Sequence, residues 1–481
     1  MRKITYLGLL AVTMLFTDCA RNPVTGKKQV VLMSEAQEIA MGQEADPQII
    51  SQFGLYEDSL LQRFIREKGE QMAAISHRPK LDYNFRVLNS EVVNAFAVPG
   101  GYVYFTRGIM AYLNNEAEFA GVLGHEIGHI AHRHSVEQQR NAVLGQLAII
   151  AGIVINPDLA RFAETASTGL QLMLLQNSRE AERESDELGV EYSSKIGYDA
   201  SQMAEFFKTL ERQMKGTEAA ELPEFLSTHP NPADRNATVA KLATEWKQKL
   251  NLTNPVVNRN IYLRRIDGLV YGEDPREGYR ENNMFYHPVL RFQFPIPANW
   301  NYQNTPQRVQ MAPKDGKALL MLMLASGNSL QEAANTFVQQ NKLTAIENRA
   351  TTINGLQAYY LIADQPSQQQ GQASLRTQSY FILYNNTIYH LLGVTALQDF
   401  NAYVNSFNQT MQGFMPLTDQ SKLNKKPERI RIKTVGAAMT LAQFLRQQNI
   451  ADAKAEEHAV LNGMMLTDNL TQGTLIKIIS E

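Results

Sequence analysis

Hydrophobic and polar positions change their period along the chain, and each change marks a different kind of element. Residues 34–76 show helical spacing, and we expect two helices that separate near Asp46 and Pro47. Residues 82–105 alternate apolar with polar positions and are rich in Val, Phe and Tyr, which is typical of strands. The first part of the chain therefore predicts helices followed by a small sheet.

The next segments are helical or almost wholly apolar. Residues 116–134 return to helical spacing, and Asn115 with Glu118 is placed as a capping pair at the helix start. The run at 143–155 is apolar apart from Gln146 but is shorter than the roughly 20 residues that a membrane span needs. We expect a buried or membrane-dipping helix there.

The second half of the chain has a different pattern. Residues 285–415 alternate short strand-like runs with helical stretches near 329–341 and 398–412, which predicts a separate α+β domain. Residues 430–481 predict a strand, a helix over 436–447, a second helix and a closing strand.

The N-terminus is typical of a targeting segment. A basic stretch at 1–3 precedes a mostly apolar run at 4–16, and the sole cysteine, Cys19, follows directly. This arrangement resembles a bacterial lipoprotein signal, whose cysteine is lipidated and anchors the protein to a membrane. Because Asp18 stands where that pattern has a small residue, a conventional secretory signal with an incidental cysteine stays the alternative.

Composition narrows the class of protein. With 44% hydrophobic and 20% charged residues, the chain is typical of a globular protein with a sizeable core. A net charge of −2 and the lack of a long basic run predict no nucleic-acid partner. With one cysteine, no disulfide can form within the chain.

Residues 121–135, GVLGHEIGHIAHRHS, carry the strongest chemical signal. His125 and His129 are four apart on one helical face, so both imidazoles can reach a single zinc ion. Glu126 is turned about 100° from His125 and can act as a general base towards an activated water. Gly124 and Gly128 each cost about 1 kcal/mol in a helix, which predicts that something approaches the backbone closely.

Two further histidines follow in the same stretch. A fourth ligand from His132 would close the site, as happens in structural zinc sites. We expect His132 and His134 instead to be polar residues at the helix end.

A third ligand is expected from the charged segment 178–189, SREAERESDELG. Among its glutamates and nearby Glu191, only Glu182 has an aspartate four residues on, Asp186. A ligand carboxylate with a second carboxylate one turn later can also fix a ligand histidine through its free N–H. The alternative is a solvated, charged helix face.

The motif HEIGH, the later S-R-x-x-E-x-x-x-D-x-x-G and the segment Ser227-Thr228-His229-Pro230 resemble a known family. It is the zinc metallopeptidase family of HtpX, the CAAX prenyl endopeptidases and BepA. The resemblance covers residues 30–262 and is nearest to the periplasmic BepA-like branch. It fades beyond residue 262, where weak likenesses to PsbP-type domains (294–300) and LysM-like modules (461–479) take over.

The resemblance implies roles for individual residues. It implies that one zinc ion is held by His125, His129 and Glu182, that Glu126 is the catalytic base and that Asp186 orients a ligand. His229 would lie near the metal, either stabilising the oxyanion or plugging the open position, with Arg235 supporting its loop. The strand Asn94-Ala95-Phe96 would dock an extended substrate by strand addition, although it could equally be plain sheet.

These observations predict an α+β multidomain fold. It consists of a mainly helical zincin-type peptidase domain with a small β-sheet, an α+β domain and a small C-terminal α/β module. The expected boundaries are a lipoprotein signal at 1–18, a tether at 19–33, the peptidase domain at 34–262, the α+β domain at 270–418, a linker at 419–429 and the module at 430–481. On this division, a chain truncated after about residue 265 should keep its peptidase chemistry.

We interpret the chain as a zinc metalloendopeptidase of the bacterial cell envelope. Its substrates would be unfolded or misassembled envelope proteins, its place the periplasm with a lipid anchor at Cys19 in the outer membrane, and its further partner the outer-membrane assembly machinery. One alternative is a chaperone or assembly factor whose proteolysis is secondary. Another is a wall-binding module with a degenerate peptidase, although the full set of His125, Glu126, His129 and Glu182 argues against degeneracy.

Overall fold

The computed structural model describes most of the chain. The described residues are 19–30, 33–134, 149–150, 153–154, 177–215, 225, 228–229, 235–366 and 374–481. The expected signal at 1–18 lies outside them. Within the described ranges, mixed helices and sheets make up a multidomain α+β protein.

The first region is mainly helical around a small sheet. Its early elements are a pair of short strands, β1 (Cys19–Arg21) and β2 (Lys28–Val30), and the helices α1 (Glu35–Phe53) and α2 (Ser59–Ala73). The sheet has the order β3 (Asn84–Leu88), β5 (Tyr102–Thr106), β4 (Ala95–Val98), which places β4 at an edge. The later helices are α3 (Arg107–Tyr112), α4 (Glu116–His132), α5 (Arg179–Lys195), α6 (Gln202–Lys215), α7 (Arg235–Lys249) and α8 (Arg259–Arg265).

The predicted break at Asp46 and Pro47 is wrong, because helix α1 runs through both residues. The Asp46 carboxylate accepts hydrogen bonds from Arg86 at 2.7 and 2.6 Å and from the Tyr104 hydroxyl at 2.7 Å. These contacts with the sheet hold the helix on both sides of the proline. The helices separate later, between Phe53 and Ser59.

The capping pair at the start of α4 is confirmed, since Asn115 Oδ1 accepts a hydrogen bond from Glu118 N at 2.8 Å. The helix predicted for 143–155 lies largely outside the described residues. Where that run is described, it forms two short antiparallel strands, β6 (Ile149–Ile150) and β7 (Ile153–Val154), so the prediction is wrong there.

The second region contains two antiparallel sheets. A four-stranded sheet has the order β18 (Met415–Pro416), β10 (Phe292–Pro295), β9 (Met284–His287), β8 (Tyr279–Glu281). A seven-stranded sheet has the order β11 (Trp300–Asn304), β12 (Arg308–Pro313), β13 (Ala318–Leu324), β17 (Thr387–Ala396), β16 (Leu375–Tyr384), β15 (Leu356–Gln365), β14 (Thr344–Ile353). The predicted helices here are confirmed as α9 (Leu330–Gln340) and α10 (Phe400–Gln412).

A short helix α11 (Gln420–Leu423) leads into the third region. There β19 (Arg429–Thr434) pairs with β22 (Leu475–Ser480), and β20 (Met439–Thr440) pairs with β21 (Asn469–Leu470). Between them lie α12 (Leu441–Gln447) and α13 (Ala455–Leu461). The predicted order is confirmed, although the first helix starts later than expected, after the capping residue Thr440.

The third region packs into the first. Ile430, Leu461, Leu475 and Ile479 belong to the same buried cluster as the core of the helical region. Lys477 is fully buried and donates hydrogen bonds from Nζ to Ala111 O at 2.7 Å and Leu113 O at 3.0 Å. These carbonyls lie at the end of α3, directly before the helix that carries the H-E-x-x-H motif.

No helix among the described residues combines the length and the apolar character needed to cross a membrane.

Candidate metal centre

Helix α4 places the two motif histidines side by side in the protein interior. The Nε2 atoms of His125 and His129 lie 3.0 Å apart, and both side chains are buried. This is the result of the four-residue spacing, which stacks them on one face.

Helix α5 brings the third group to this face. Glu182 Oε2 lies 3.5 Å from His125 Nε2, and Glu182 Oε1 lies 3.4 Å from His129 Nε2. The two helices can approach this closely because small residues face each other. An added Cβ at Gly124 would lie 3.0 Å from both Cα and O of Gly189, and one at Gly128 would lie 3.2 Å from Ser185 Cα. The predicted close approach to these glycines is thus confirmed.

Asp186, one turn after Glu182, contacts the outer nitrogen of His125. Its Oδ1 lies 2.8 Å from His125 Nδ1. Arg235, at the start of α7, donates to the same carboxylate from Nε and Nη2 at 2.8 and 2.7 Å. The pair fixes the ring of His125, with Nε2 directed at the cluster.

His229 joins the cluster from a different segment. Its Nδ1 lies 3.0 Å from Glu182 Oε1 and 3.2 Å from His125 Nε2, while its Nε2 lies 3.3 Å from Ala95 O. The Phe225 ring packs against His229 at 4.5 Å between centroids.

Glu126 lies beside the cluster without joining it. Its carboxylate is fully buried, and neither oxygen has a hydrogen-bond partner among the described residues. His229 lies close by, with its Nε2 3.8 Å from Glu126 Oε1. Burial raises the pKa of Glu126 above its ordinary value, so the carboxylate binds a proton more readily than one in water.

The charge on each group of the cluster depends on burial and on its neighbours. Burial works against a charged His125, but the Glu182 and Asp186 carboxylates outweigh it and raise its pKa to about 9. Burial likewise opposes ionisation of Glu182, yet His229 and His125 bring its pKa well below the ordinary value. Burial keeps the pKa of His129 well below its ordinary value. The site thus has an ionised carboxylate ready for a cation.

The four side chains fit a metal ion. Ligand atoms of His125, His129, Glu182 and His229 all lie within 4.8 Å of one another. Imidazole nitrogen and carboxylate oxygen are donors that zinc accepts, usually four at a time. The buried carboxylate of Glu126, which accepts no hydrogen bond from the described residues, stands next to them, as a water-activating base requires.

Comparison with known proteins places this geometry in a family. Residues 59–243, which include α4, α5 and the start of α7, match the model of Peptidase family M48. This segment is a family M48 peptidase domain. The family prediction is confirmed, and the match supports the prediction of a zinc metalloprotease.

Proteins of similar sequence include two that are named as proteases. The beta-barrel assembly-enhancing protease of Yersinia pestis is 30% identical over 263 residues, covering 52% of this chain and 52% of the relative. The mitochondrial metalloendopeptidase OMA1 of Arabidopsis thaliana is 28% identical over 186 residues, covering 38% of this chain and 36% of the relative. The chain thus spans about half or less of the length of these relatives.

A solved structure matches the chain only weakly. Cyanobacterial PsbP from Synechocystis sp. PCC 6803 covers 28% of this chain and 94% of its own, at 10% identity and a TM-score of 0.23. A score this low says nothing about the fold, so the PsbP likeness stays a prediction.

The predicted docking strand lies against the M48 site. Asn94, Ala95 and Phe96 run into edge strand β4, and all three are buried. Phe96 stacks on Tyr104, and the side-chain amide of Asn94 has no hydrogen-bond partner among the described residues. The edge itself is partly covered, since Phe225 N donates to Val93 O at 3.1 Å and His229 contacts Ala95 O.

Several residues of the M48 domain near the site had no predicted role. His134 Nδ1 lies 3.0 Å from His129 Nδ1, and Asn177 Nδ2 lies 3.4 Å from His129 Nε2. His132 does end α4 as predicted, whereas His134 turns back towards the site. The spacing gave no signal for this, because the turn depends on the left-handed conformation of Arg133, with φ of 64°. The side chain of Cys19 lies outside the described part of the chain.

Proposed function

We propose that the chain is a zinc-dependent endopeptidase that cleaves unfolded or misassembled proteins of the bacterial cell envelope. One observation carries this proposal: the buried carboxylate of Glu126, which has no hydrogen-bond partner in the described part of the chain, stands beside a convergent cluster of His125, His129, Glu182 and His229. The envelope location and the lipid anchor rest on the signal-like N-terminus and Cys19. Proximity to an outer-membrane assembly machinery is suggested by the name of the Yersinia pestis relative.

In this proposal His125, His129 and Glu182 hold the ion. When bound, zinc supplies Lewis acidity, which activates water and polarises a carbonyl group. Glu126 accepts the proton of the attacking water and returns it to the leaving amine, because burial has made its carboxylate a stronger base. Asp186 keeps His125 oriented, and two hydrogen bonds from Arg235 hold the Asp186 carboxylate in place.

Of the two roles considered for His229, the contacts favour the plug. Its Nδ1 faces the metal cluster, and its Nε2 can donate to Ala95 O, which uses both ring nitrogens. The same segment covers the edge of β4 through Phe225 N. Displacing Phe225 and His229 would therefore open the fourth metal position and the docking edge together, so that an extended substrate takes the place of both contacts.

The test is cleavage of an unfolded protein by the full chain and its variants. Glu126→Gln should keep its zinc and lose cleavage by about 10²-fold or more, since the general base is gone. His229→Ala should cleave faster than the wild type if the histidine plugs the site. A zinc-loaded Glu126→Gln protein that still cleaves at the wild-type rate would sink the base assignment, and slower cleavage by His229→Ala would favour the oxyanion role.

A second function, binding of client proteins without cleavage, is favoured by a separate observation. Strand β14 (Thr344–Ile353) forms one edge of the seven-stranded sheet, and most of its side chains are exposed. Such an edge can accept an extended segment of another protein. If this is the main function, Glu126→Gln should still restore envelope assembly in cells that lack the protein.

A further inference from the structure

We propose that His132, His134 and Glu184 form a second divalent-metal site, weaker than the first, whose occupation inhibits the peptidase. The inhibitory half rests on the proposed function, while the metal site itself stands on geometry alone. The cluster lies directly behind His129, on the side away from Glu182 and His125.

The three side chains converge on one point. His134 Nε2 lies 3.0 Å from Glu184 Oε2, and His132 Nδ1 lies 3.7 Å from the same oxygen. One ligand atom from each lies within 4.8 Å of the other two. Two imidazoles and one carboxylate are the donor set that zinc accepts while leaving a position open.

A buried nitrogen atom that lacks a hydrogen-bond partner among the described residues points to a ligand here. His132 is 3% exposed, and its Nδ1 has no hydrogen-bond partner among the described residues. Burial lowers the pKa of His132 to about 4, so the ring is neutral near pH 7 and can direct a lone pair at a cation. A buried polar atom without a partner is costly, and an ion would satisfy it.

The backbone holds this arrangement in place. Arg133 adopts the left-handed conformation that turns His134 back, and its side chain donates to Glu38 Oε2 at 2.9 Å. Asn22 Nδ2 donates to His132 O at 3.3 Å. The Glu184 side chain is 37% exposed, which gives an ion a route from solvent and makes the site weaker than the fully buried one.

Metal binding at the two sites places conflicting demands on the hydrogen bond between His129 and His134. When His129 holds a metal through Nε2, its proton is on Nδ1 and is donated to His134 Nδ1, 3.0 Å away. His134 must then carry its own proton on Nε2, where Glu184 accepts it. An ion bound at His134 Nε2 moves that proton to Nδ1, so two N–H groups face each other.

This conflict predicts inhibition. The contact between His129 and His134 must open when the second ion binds, and a ligand that loses its outer hydrogen bond typically loses about 10–100-fold in metal affinity or activity. Excess zinc is therefore expected to slow the enzyme that a first equivalent of zinc activates.

The experiment measures zinc per chain by mass spectrometry across a series of buffered free-zinc concentrations. The full-length Glu126→Gln protein, which is not expected to cleave itself, should bind one tight and one weaker equivalent. Adding His132→Asn should remove the weaker equivalent alone. Adding His287→Asn, a histidine in the four-stranded sheet, should leave both. Glu184→Gln, at a partly exposed position, provides a second variant that folds independently of the buried histidine.

Cleavage is then measured at increasing zinc concentrations in proteins that keep Glu126. The rate of each protein is expressed relative to its own highest rate. Inhibition should need about tenfold more zinc in His132→Asn than in the wild type. A single equivalent, or a second one that persists in both His132→Asn and Glu184→Gln, overturns the site. A second equivalent without inhibition overturns the coupling. If no protein cleaves, the proposed function fails while the zinc stoichiometry still decides the site.

Discussion

At the residue scale, we expect a substitution of Asp186 to weaken metal binding while leaving the fold intact. Asp186→Asn keeps the size of the side chain but weakens its hold on His125 Nδ1 and leaves Arg235 facing an uncharged group. We expect zinc affinity to fall by about 10–100-fold in a competition titration with a chelator. Asp364→Asn is the matched control, because Asp364 accepts a similar bidentate pair from Arg376 in the second region. Equal zinc affinity in the two variants would contradict the orienting role.

The charge of His125 makes zinc binding depend on pH. In the metal-free protein its pKa is raised to about 9, so near neutral pH the ring carries a proton that zinc must displace. Zinc affinity should therefore rise with pH, by up to about tenfold per unit, and level off above pH 9. The measurement is the zinc dissociation constant across this range. A flat profile would mean that His125 is already neutral before the metal binds.

The sequence predicted some residues of the site better than others. His125, Glu126 and His129 follow from helical spacing, and Glu182 with Asp186 from the four-residue offset of two carboxylates. His229 was reached only through the family resemblance, because nothing local ties position 229 to position 125. His134 was missed, since its contact depends on the φ angle of Arg133 and on packing against Ser185 and Glu184.

At the scale of elements, the contact between α4 and α5 positions the proposed metal ligands. Gly124→Val should push the helices apart, because an added Cβ already lies 3.0 Å from the backbone of Gly189. We expect a loss of about 1–3 kcal/mol in the free energy of unfolding, together with weaker zinc binding as Glu182 moves away from His125 and His129. Denaturant unfolding and chelator competition measure the two effects.

Gly436→Val is the control for that change, since no atom lies within 4 Å of a Cβ added at Gly436. If Gly124→Val unfolds and binds zinc like the wild type, the glycines do not set the spacing of the helices.

Elements with a clear period were predictable, and those decided by distant contacts were not. The helices at 330–340 and 400–412 follow from their amphipathic pattern and appear where expected. Helix α1 continues through Pro47 because Arg86 and Tyr104, which come later in the chain, hold Asp46. A local rule for proline cannot include that contact.

At the scale of the whole molecule, the third region is part of the peptidase core. Lys477 donates to the carbonyls at the end of α3, and burial lowers its pKa well below the ordinary value. Lys477→Met should leave these carbonyls unsatisfied and cost about 1–3 kcal/mol of stability, measured by thermal unfolding of the full chain. Lys433→Met, at an exposed position of the partner strand β19, should cost much less. Equal effects would contradict the role of the buried amine.

The same packing reverses the expectation for a truncated chain. A protein that ends near residue 265 would lack Ile430, Leu461, Leu475 and Ile479, and so would expose part of the core around α4. Sequence periodicity identified the elements of this region but not the first region as their packing partner. An amphipathic pattern shows which face of an element is buried, but not which other element covers that face.

The hydrogen bond from Lys477 to Ala111 also sets an order of events during synthesis. It joins positions 366 residues apart, and ribosomes add about 5–20 residues per second. Lys477 is therefore made about 20–70 s after Ala111. During that interval the candidate metal centre lacks its final packing. A growing chain therefore carries the complete H-E-x-x-H motif well before it carries the lysine that packs against the start of helix α4.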